Sequence, residues 1–135
     1  MLDILQKIAQ WKVQETASRK LQFPLDFLQN QALYHTPCVT LSEKLKNSNT
    51  PQIIAEFKRK SPSKGLIREF ADPVNITQAY EIAGAAAISV LTDQNFFGAY
   101  EDDFSRSRKS LLLPMLRKEF ILEKYQIHES KSMGA

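Results

Sequence analysis

The fold is decided at residues 53–64, which read IIAEFKRKSPSK. The stretch begins with a short apolar run and ends in a Ser-Pro-Ser-Lys-Gly turn at residues 61–65. In a strand, residues i and i+2 point to the same face, so Glu56 and Lys58 share a face with Ile54. Charges at the end of a buried strand cost desolvation energy unless they pair or take part in chemistry. This pattern is typical of an active site at the carboxyl end of a parallel sheet.

Two further apolar runs follow in the chain, and each of them also ends in polar residues. Residues 85–91 close in Thr92 and Asp93, and residues 111–116 close in the charged residues 117–119. Fully apolar strands that alternate with helices indicate a parallel sheet covered on both faces, so we expect an α/β fold. Polar side chains at the carboxyl end of every strand are typical of a (β/α)8 barrel, or TIM barrel.

Helix signals separate the apolar runs. An aspartate followed by a proline supplies an N-cap and a first-turn proline for a helix at residues 72–83. Residues 94–100 are predicted to be a loop, and the helix expected from Glu101 has the acidic start and basic end that complement the helix macrodipole. A last helix is expected at residues 125–133. Because a complete barrel needs about 250 residues, we expect this chain to hold its first three βα units.

The amino-terminal part lacks this alternation of strands and helices. Apolar side chains at helical spacing predict a helix at residues 2–20. The predicted apolar stripe of this helix consists of Leu5, Ile8, Ala9, Val13 and Ala17. Residues 41–46 could form one or two helical turns, and residues 47–51 have the composition of a linker. We therefore divide the chain into an amino-terminal helical extension, residues 1–50, and an incomplete TIM barrel, residues 51–135.

The composition favours a small anionic ligand. Lys and Arg total 18 against 15 Asp and Glu, so the net charge of +3 is weak support for nucleic acid as a partner. The basic residues within 58–64 begin inside an apolar strand and lack interleaved aromatic rings, which argues against a nucleic-acid patch. We therefore expect a phosphorylated or carboxylated small molecule as the ligand.

Several classes of protein are excluded by the same sequence. Cys38 is the only cysteine, so neither an intramolecular disulfide nor a CxxC metal pair can form. The amino terminus has no apolar core of signal-peptide length, and no run approaches the roughly 18 apolar residues that span a bilayer. No membrane partner is expected, and the expected location is the cytoplasm.

Residues 53–65 resemble the signature segment of indole-3-glycerol phosphate synthase, a TIM-barrel family of tryptophan biosynthesis. Further segments that fit the family in the same order are residues 1–5, 89–93, 96–97, 114–122 and 125–127. The resemblance implies conversion of 1-(2-carboxyphenylamino)-1-deoxyribulose 5-phosphate to indole-3-glycerol phosphate, with loss of carbon dioxide and water. It also implies that neither a metal nor an organic cofactor is required.

The resemblance implies roles for individual residues as well. Lys118 is the implied general acid at the ribulose carbonyl, where negative charge develops during ring closure. Lys58 is implied to hold a substrate anion, and Glu56 is implied to orient the lysines and the substrate hydroxyls. The implied substrate-binding residues are Ser61 at the substrate edge and Phe97 and Phe120, which would sandwich the aromatic ring.

Other interpretations stay open from the spacing alone. Glu56 and Lys58 could form a structural ion pair at the barrel rim, and Lys118 could be a solvated strand end. Phe96 and Phe97 could be ordinary packing. The chain could also be a non-catalytic remnant that acts as an interaction module. A different phosphosugar barrel, such as phosphoribosylanthranilate isomerase, would leave the segment 56–62 unexplained.

The sequence departs from the family in two respects. The loop after the second strand has Ala99 and Tyr100 where the family usually has serine or threonine after the glycine, so we expect Tyr100 to crowd the mouth of the site. The chain also holds only three of the eight βα units of a barrel. By itself it is expected to be inactive and to associate through open strand edges.

Overall fold

The structure is a computed structural model that describes residues 3–135. Its elements in chain order are α1 (Ile4–Gln22), α2 (Leu25–Gln29), α3 (Leu41–Lys46), β1 (Ile54–Phe57), β2 (Lys60–Ser61), β3 (Gly65–Leu66), α4 (Pro73–Ile82), β4 (Ala87–Leu91), α5 (Gln94–Phe97), α6 (Asp103–Ser110), β5 (Met115–Lys118) and α7 (Lys124–Ser132). The predicted helices correspond to α1, α3, α4, α6 and α7, although residues 1–2, with which the first was expected to begin, lie outside the described part. None of the helices in that part combines the length and apolar character needed to cross a membrane.

The central feature is a three-stranded parallel sheet in the order β1-β4-β5. Glu56 of β1 lies opposite Ser89 of β4, and Ser89 lies opposite Leu116 of β5. Two residues further along, Leu91 of β4 lies opposite Lys118 of β5. The predicted parallel arrangement of the three apolar runs is therefore confirmed.

The hydrophobic core lies on one face of this sheet, beneath the helices α4 and α6. Its buried side chains include Phe57, Ile88, Val90, Phe104 and Met115. The strand residues among them alternate with the residues of the opposite face, as the strand period of two requires. Asp72 caps α4 by accepting a hydrogen bond from the Val74 amide at 2.9 Å, which the Asp-Pro pair predicted.

The opposite face of the sheet is only partly covered. The central strand β4 is buried along its whole length, whereas Ile54 of β1 and Leu116 of β5 are 46% and 49% exposed. The expectation of a sheet covered on both faces is therefore wrong for the two flanking strands. The physical reason is that α4 and α6 pack on the core face, whereas Ile54 and Leu116 point to the other face. In addition, β1 and β5 each have a neighbouring strand on one side only within residues 3–135.

The apolar stripe predicted for α1 is confirmed at Ile8 and wrong at Leu5, Val13 and Ala17. Leu5 and Val13 are 63% and 60% exposed, and the buried side chains of the helix are Ile8, Lys12 and Thr16. These three residues recur at i and i+4, so α1 does bury one face, but that face is mainly polar. A search for apolar periodicity could not find it, because its burial depends on ion pairs with residues far away in the chain.

Three segments form elements that the sequence did not predict, namely α2, the hairpin β2–β3 and α5. The turn expected at residues 61–65 is present, and it closes the antiparallel hairpin β2–β3, whose two short strands were not predicted. Residues 94–97, expected within a loop, form the one-turn helix α5. Asp93 caps this helix, because its Oδ1 accepts hydrogen bonds from the amides of Phe96 at 2.5 Å and Phe97 at 3.2 Å.

A buried ion pair ties the segment after β1 to α6. The side chains of Arg59 and Asp103 are 4% and 0% exposed, and both oxygens of the carboxylate accept from the guanidinium, with Arg59 Nη2 donating to Asp103 Oδ1 at 2.9 Å. Arg59 Nη2 also donates to the carbonyl oxygen of Ala71 at 2.9 Å. The pair therefore joins three separate segments of the chain.

Removing one partner of this pair is expected to destabilise the protein strongly. Asp103→Ala leaves the Arg59 guanidinium buried without a counter-charge, which costs about 3–5 kcal/mol of unfolding free energy. The control is the exposed pair between Arg106 and Asp72, 3.4 Å apart, for which Arg106→Ala is expected to cost about 0–1 kcal/mol. Urea unfolding followed by circular dichroism measures both losses, and equal losses would contradict the role of the buried pair.

Candidate active site

The carboxyl end of the sheet carries the two lysines that the sequence predicted for the site. Phe57 lies opposite Val90, so the register extended by one residue places Lys58 beside Leu91. Lys118 lies opposite Leu91 on its other side. Since neighbouring strands are about 4.8 Å apart, the Cα atoms of the two lysines are roughly 10 Å apart. Both lysines therefore belong to one face of the sheet, at the same level.

Glu56 lies on the same face, one layer below the lysines. Its Oε1 accepts a hydrogen bond from Lys58 Nζ at 2.8 Å, and its Oε2 accepts one from Ser89 Oγ at 3.3 Å. The carboxylate is therefore held in a fixed orientation beside the lysine. This geometry suits a structural ion pair and a catalytic pair alike, so the roles of both residues stay predictions.

A cavity of about 390 Å³ opens beside Lys58. The predicted site residues that line it are Lys58, Ser61, Phe97 and Phe120. The hairpin β2–β3 places Ser61, whose Oγ accepts a hydrogen bond from a hairpin amide at 3.2 Å. Leu5 and Ile8 of α1 form part of the apolar wall. Lys118 shares the sheet face but does not line this cavity, so the structure brings together the substrate-binding candidates and only one of the two lysines.

The two phenylalanines of the cavity are in contact with each other. The ring centroids of Phe97 and Phe120 are 5.9 Å apart, and the ring planes are tilted by 42°. A flat ring inserted between two parallel rings needs about 7 Å, which is twice the contact distance of two carbon atoms. The pair therefore presents a joint aromatic surface, and a ligand ring would have to part it by about 1 Å to be sandwiched.

Tyr100 does not crowd this cavity. Its ring centroid lies 4.0 Å from the Arg59 guanidinium, and its amide donates to Asp103 Oδ2 at 2.8 Å. Ala99, the other departure from the family pattern, is 7% exposed and packs inside the protein. The expectation that Tyr100 occupies the mouth is therefore wrong, because the buried ion pair of Arg59 and Asp103 holds the tyrosine.

A buried ion cluster at the carboxyl edge was not predicted from the sequence. The Lys12 side chain of α1 is 1% exposed, and its Nζ lies 2.9 Å from Asp93 Oδ2, 3.0 Å from Glu119 Oε1 and 2.5 Å from Glu15 Oε2. Burial alone would lower the pKa of the Lys12 ammonium, but Glu119, Glu15 and Asp93 raise it above its ordinary value. The lysine therefore stays charged. In the described part of the chain, no group of three or more His, Cys, Asp or Glu side chains is suited to holding a metal ion.

Strand alternation is the signal that could have found part of this cluster. In β5, Met115 and Arg117 are buried, whereas Leu116 and Lys118 are exposed. Glu119 continues the buried series, since its side chain is 3% exposed. Charged residues are almost never fully buried unless they are paired, so Arg117 and Glu119 on the core side already require partners. The sequence does not say that one of those partners is in α1.

The comparison with known proteins agrees with this geometry. The sequence model described as indole-3-glycerol phosphate synthase matches residues 5–135. The chain belongs to this family. The resemblance drawn from residues 53–65 is therefore confirmed. The roles of the individual site residues stay predictions.

Individual members of the family resemble the whole chain. A Neisseria gonorrhoeae protein named indole-3-glycerol phosphate synthase is 40% identical over 138 residues, which cover 100% of this chain and 53% of that protein. Proteins of the same name from Acaryochloris marina and Albidiferax ferrireducens are each 42% identical, covering 98% and 100% of this chain and 44% and 52% of their own lengths. The chain spans about half the length of the curated relatives that it matches.

Tyr125 anchors the helix that supplies Lys12 and the apolar wall of the cavity. Its hydroxyl lies 3.0 Å from the carbonyl oxygen of Arg19 and 2.8 Å from that of Phe23, so it can donate to either at the end of α1. Burial raises the pKa of the Tyr125 phenol to about 12, and the nearby Glu129 carboxylate contributes in the same direction. The anchor is therefore a neutral phenol in the folded protein.

This anchor is expected to make stability fall at alkaline pH. An unfolded tyrosine releases its proton near pH 10, whereas folded Tyr125 keeps it up to about pH 12, so stability decreases as pH rises between these values. Tyr125→Phe should be less stable than wild type at about pH 7, because it loses the hydroxyl contact, and the gap should narrow at about pH 11. Urea unfolding at both pH values measures the difference in unfolding free energy between the wild type and Tyr125→Phe. A difference that is the same at both pH values would contradict the role of Tyr125 as a neutral anchor.

Proposed function

We propose that this protein is an indole-3-glycerol phosphate synthase and that the chain supplies the amino-terminal part of its active site. The observation that carries the proposal is that a chain matching this family over residues 5–135 gathers Lys58, Ser61, Phe97 and Phe120 around one cavity. The substrate is 1-(2-carboxyphenylamino)-1-deoxyribulose 5-phosphate, whose aromatic ring, carboxylate and phosphate match an aromatic cavity with a lysine in its wall.

The reaction joins the ring carbon that bears the carboxylate to the carbonyl carbon of the ribulose chain. The carbonyl electron pair moves onto its oxygen, which takes a proton from the Lys118 ammonium and becomes a hydroxyl. The bond to the carboxylate then breaks, carbon dioxide leaves, and the electron pair of that bond restores the aromatic ring. Loss of the new hydroxyl as water, together with a proton from the neighbouring methylene carbon, completes the indole.

Lys58 and Glu56 prepare the substrate for this step. The Lys58 ammonium lines the cavity and is held at 2.8 Å by the Glu56 carboxylate, so it is placed to bind a substrate anion. Ser89 fixes the second oxygen of Glu56 at 3.3 Å, which keeps the ion pair in one orientation. The roughly 10 Å between the Cα atoms of Lys58 and Lys118 leaves room for a substrate that bridges them over Leu91.

Phe97 and Phe120 receive the aromatic ring. Offset contact with the joint surface of the pair needs no rearrangement, whereas a sandwich requires the rings to part by about 1 Å. Ser61 lies at the rim of the same cavity, where it can bond a polar substrate group. The apolar side chains of Leu5 and Ile8 help to keep water away from the ring.

We infer that the sheet is the first three βα units of an eight-stranded TIM barrel and that residues 1–50 are a helical extension laid against its carboxyl edge. The parallel order β1-β4-β5 and the position of Lys12 next to the ends of β4 and β5 support this arrangement. A complete barrel needs about 250 residues, and the chain spans about half the length of its relatives. The exposed side chains of Ile54 and Leu116 suit contact with further strands.

The alternative from another class is a non-catalytic interaction module. The open edges of β1 and β5 would then serve to bind a partner, and Glu56 and Lys58 would be a structural ion pair. The family match favours the synthase over a different phosphosugar barrel such as phosphoribosylanthranilate isomerase. Turnover of the synthase substrate separates the enzyme from the interaction module.

Lys118→Ala is expected to lower the turnover number at least ~100-fold in a form of the protein that carries synthase activity, which is the usual scale for a general acid. KM should change much less, because the proton is transferred in the transition state. The control is Lys124→Ala, which removes an exposed lysine at the start of α7 and should leave the rate unchanged. The assay follows formation of indole-3-glycerol phosphate, and a near-wild-type rate would remove Lys118 from the chemistry.

The 135-residue chain by itself is expected to self-associate and to lack synthase activity. The free edges of β1 and β5 can template pairing with another chain, and barrel enzymes bind phosphate with loops that follow the seventh and eighth strands. Sedimentation velocity and the rate of product formation measure both properties. A monomer that turns over the substrate would show that three βα units suffice for the site.

A further inference from the structure

Lys12 contacts two carboxylates that belong to different parts of the candidate site. Its Nζ lies 2.9 Å from Asp93 Oδ2, just after β4, and 3.0 Å from Glu119 Oε1, just after β5. The three side chains are 1%, 0% and 3% exposed. The ammonium therefore joins the ends of two neighbouring strands at a place from which water is excluded.

Asp93 holds the segment that carries Phe97. While Oδ2 faces Lys12, Oδ1 accepts hydrogen bonds from the amides of Phe96 and Phe97 at 2.5 and 3.2 Å. The two oxygens of one carboxylate thus divide between the lysine and the start of α5. Any shift of the Asp93 side chain moves the backbone to which the Phe97 ring is attached.

Glu119 holds Phe120 in a similar way. Its Oε1 accepts from the Phe120 amide at 2.9 Å and also faces Lys12, and its Oε2 accepts from Thr92 Oγ1 at 2.8 Å. The carboxylate therefore connects the end of β5 to the end of β4. Lys12 is thus connected to the backbone of both aromatic residues of the cavity, through Asp93 to Phe97 and through Glu119 to Phe120.

The charges of this cluster require the lysine. Among residues 3–135, Lys12 is the only basic side chain in ion-pair contact with Asp93, whereas Glu119 has one further contact, at 3.8 Å, with Arg117. Without the ammonium, Asp93 and Glu119 would be two buried carboxylates with like charge near each other. They would separate or admit water, and the 5.9 Å spacing of the rings that they position would change.

We propose that Lys12 is a positioning residue that sets the spacing of Phe97 and Phe120 and thereby shapes the surface that receives the aromatic ring. Lys12 does not itself line the cavity, and it acts through Asp93 and Glu119. The identity of the ring rests on the proposed function, whereas the positioning of the two phenylalanines does not.

A purely structural role, in which Lys12 only fastens α1 to the protein, is tested by comparison with Arg19. Arg19 lies on the same helix, and it bonds Glu129 at 2.5 Å and Glu101 at 3.1 Å without touching Asp93 or Glu119. Arg19→Met therefore loosens α1 as Lys12→Met does, but it leaves the link between Asp93 and Glu119 intact. Lys12→Arg keeps a cation at the centre of the cluster and serves as the rescue variant.

The first arm of the experiment needs no ligand. Amide hydrogen exchange followed by NMR is measured at Phe96, Phe97 and Phe120, whose N–H groups bond Asp93 and Glu119. Lys12→Met is expected to speed their exchange at least ~10-fold relative to the amides of β4, whereas Arg19→Met and Lys12→Arg should not. If Lys12→Met does not fold, the double variant Lys12→Met with Glu119→Gln is used, because it removes the repulsion between the Asp93 and Glu119 carboxylates. This double variant should show the same rise in the exchange rate of the Phe96 and Phe97 amides.

The second arm measures kinetics in a form of the protein with synthase activity. Lys12→Met should raise KM about tenfold with the turnover number within about threefold, because the aromatic surface binds ground state and transition state alike. Unchanged exchange and KM, or equal effects of Arg19→Met, would overturn the positioning role. Absence of activity and of substrate binding in the wild type would instead refute the proposed function, while the exchange arm would still decide the role of Lys12.

Discussion

The parallel register of β1, β4 and β5 determines which side chains can act together. Because parallel strands end at the same edge, the register brings Lys58, Leu91 and Lys118 to one level of one face. A slip by one residue would put Phe57 or Arg117 on that face instead, and would turn the apolar residues away from α4 and α6. Packing of the core against these helices therefore locks the register, and with it the arrangement of the charged groups. The chemistry of the candidate site depends on apolar contacts on the other side of the sheet.

Buried charge is the second constraint, and it explains why the loops at this edge are well held. Each buried charge must be matched in place, because desolvation is recovered only when a partner is close and hydrogen-bonded. Lys12 lies at ion-pair distance from Asp93 and Glu119, and Arg59 forms hydrogen bonds with Asp103. Such pairs add little net stability, but they allow few geometries, since any displacement leaves a charge unpaired. They are therefore suited to fixing the loops that carry Phe97 and Phe120, because these loops need a defined position more than they need added stability.

The sequence predicts those elements whose causes are local. The strands follow from apolar runs, and α4 follows from an Asp-Pro start whose cap the structure contains. The buried face of α1 and the one-turn helix α5 escaped prediction because their causes lie elsewhere in the chain or in a single capping contact. Arg59 and Asp103 are 44 residues apart, and no local pattern indicates that they meet. The residues of the site were proposed by family resemblance, and periodicity alone left a structural ion pair equally open for Glu56 and Lys58.

The position of α1 bears on how the site is organised. In sequence it belongs to an extension that lacks the strand–helix alternation, yet Leu5 and Ile8 form part of the cavity wall and Lys12 reaches the ends of two strands. Lys118, which lies in the sheet itself, is outside that cavity. A substrate whose ring rests on Phe97 and Phe120 must therefore extend out of the cavity and over Leu91 to meet Lys118. The extension would determine where the aromatic ring binds, and the sheet would determine where the carbonyl reacts. The position of α1 would therefore set the distance between the bound ring at Phe97 and Phe120 and the reacting carbonyl at Lys118.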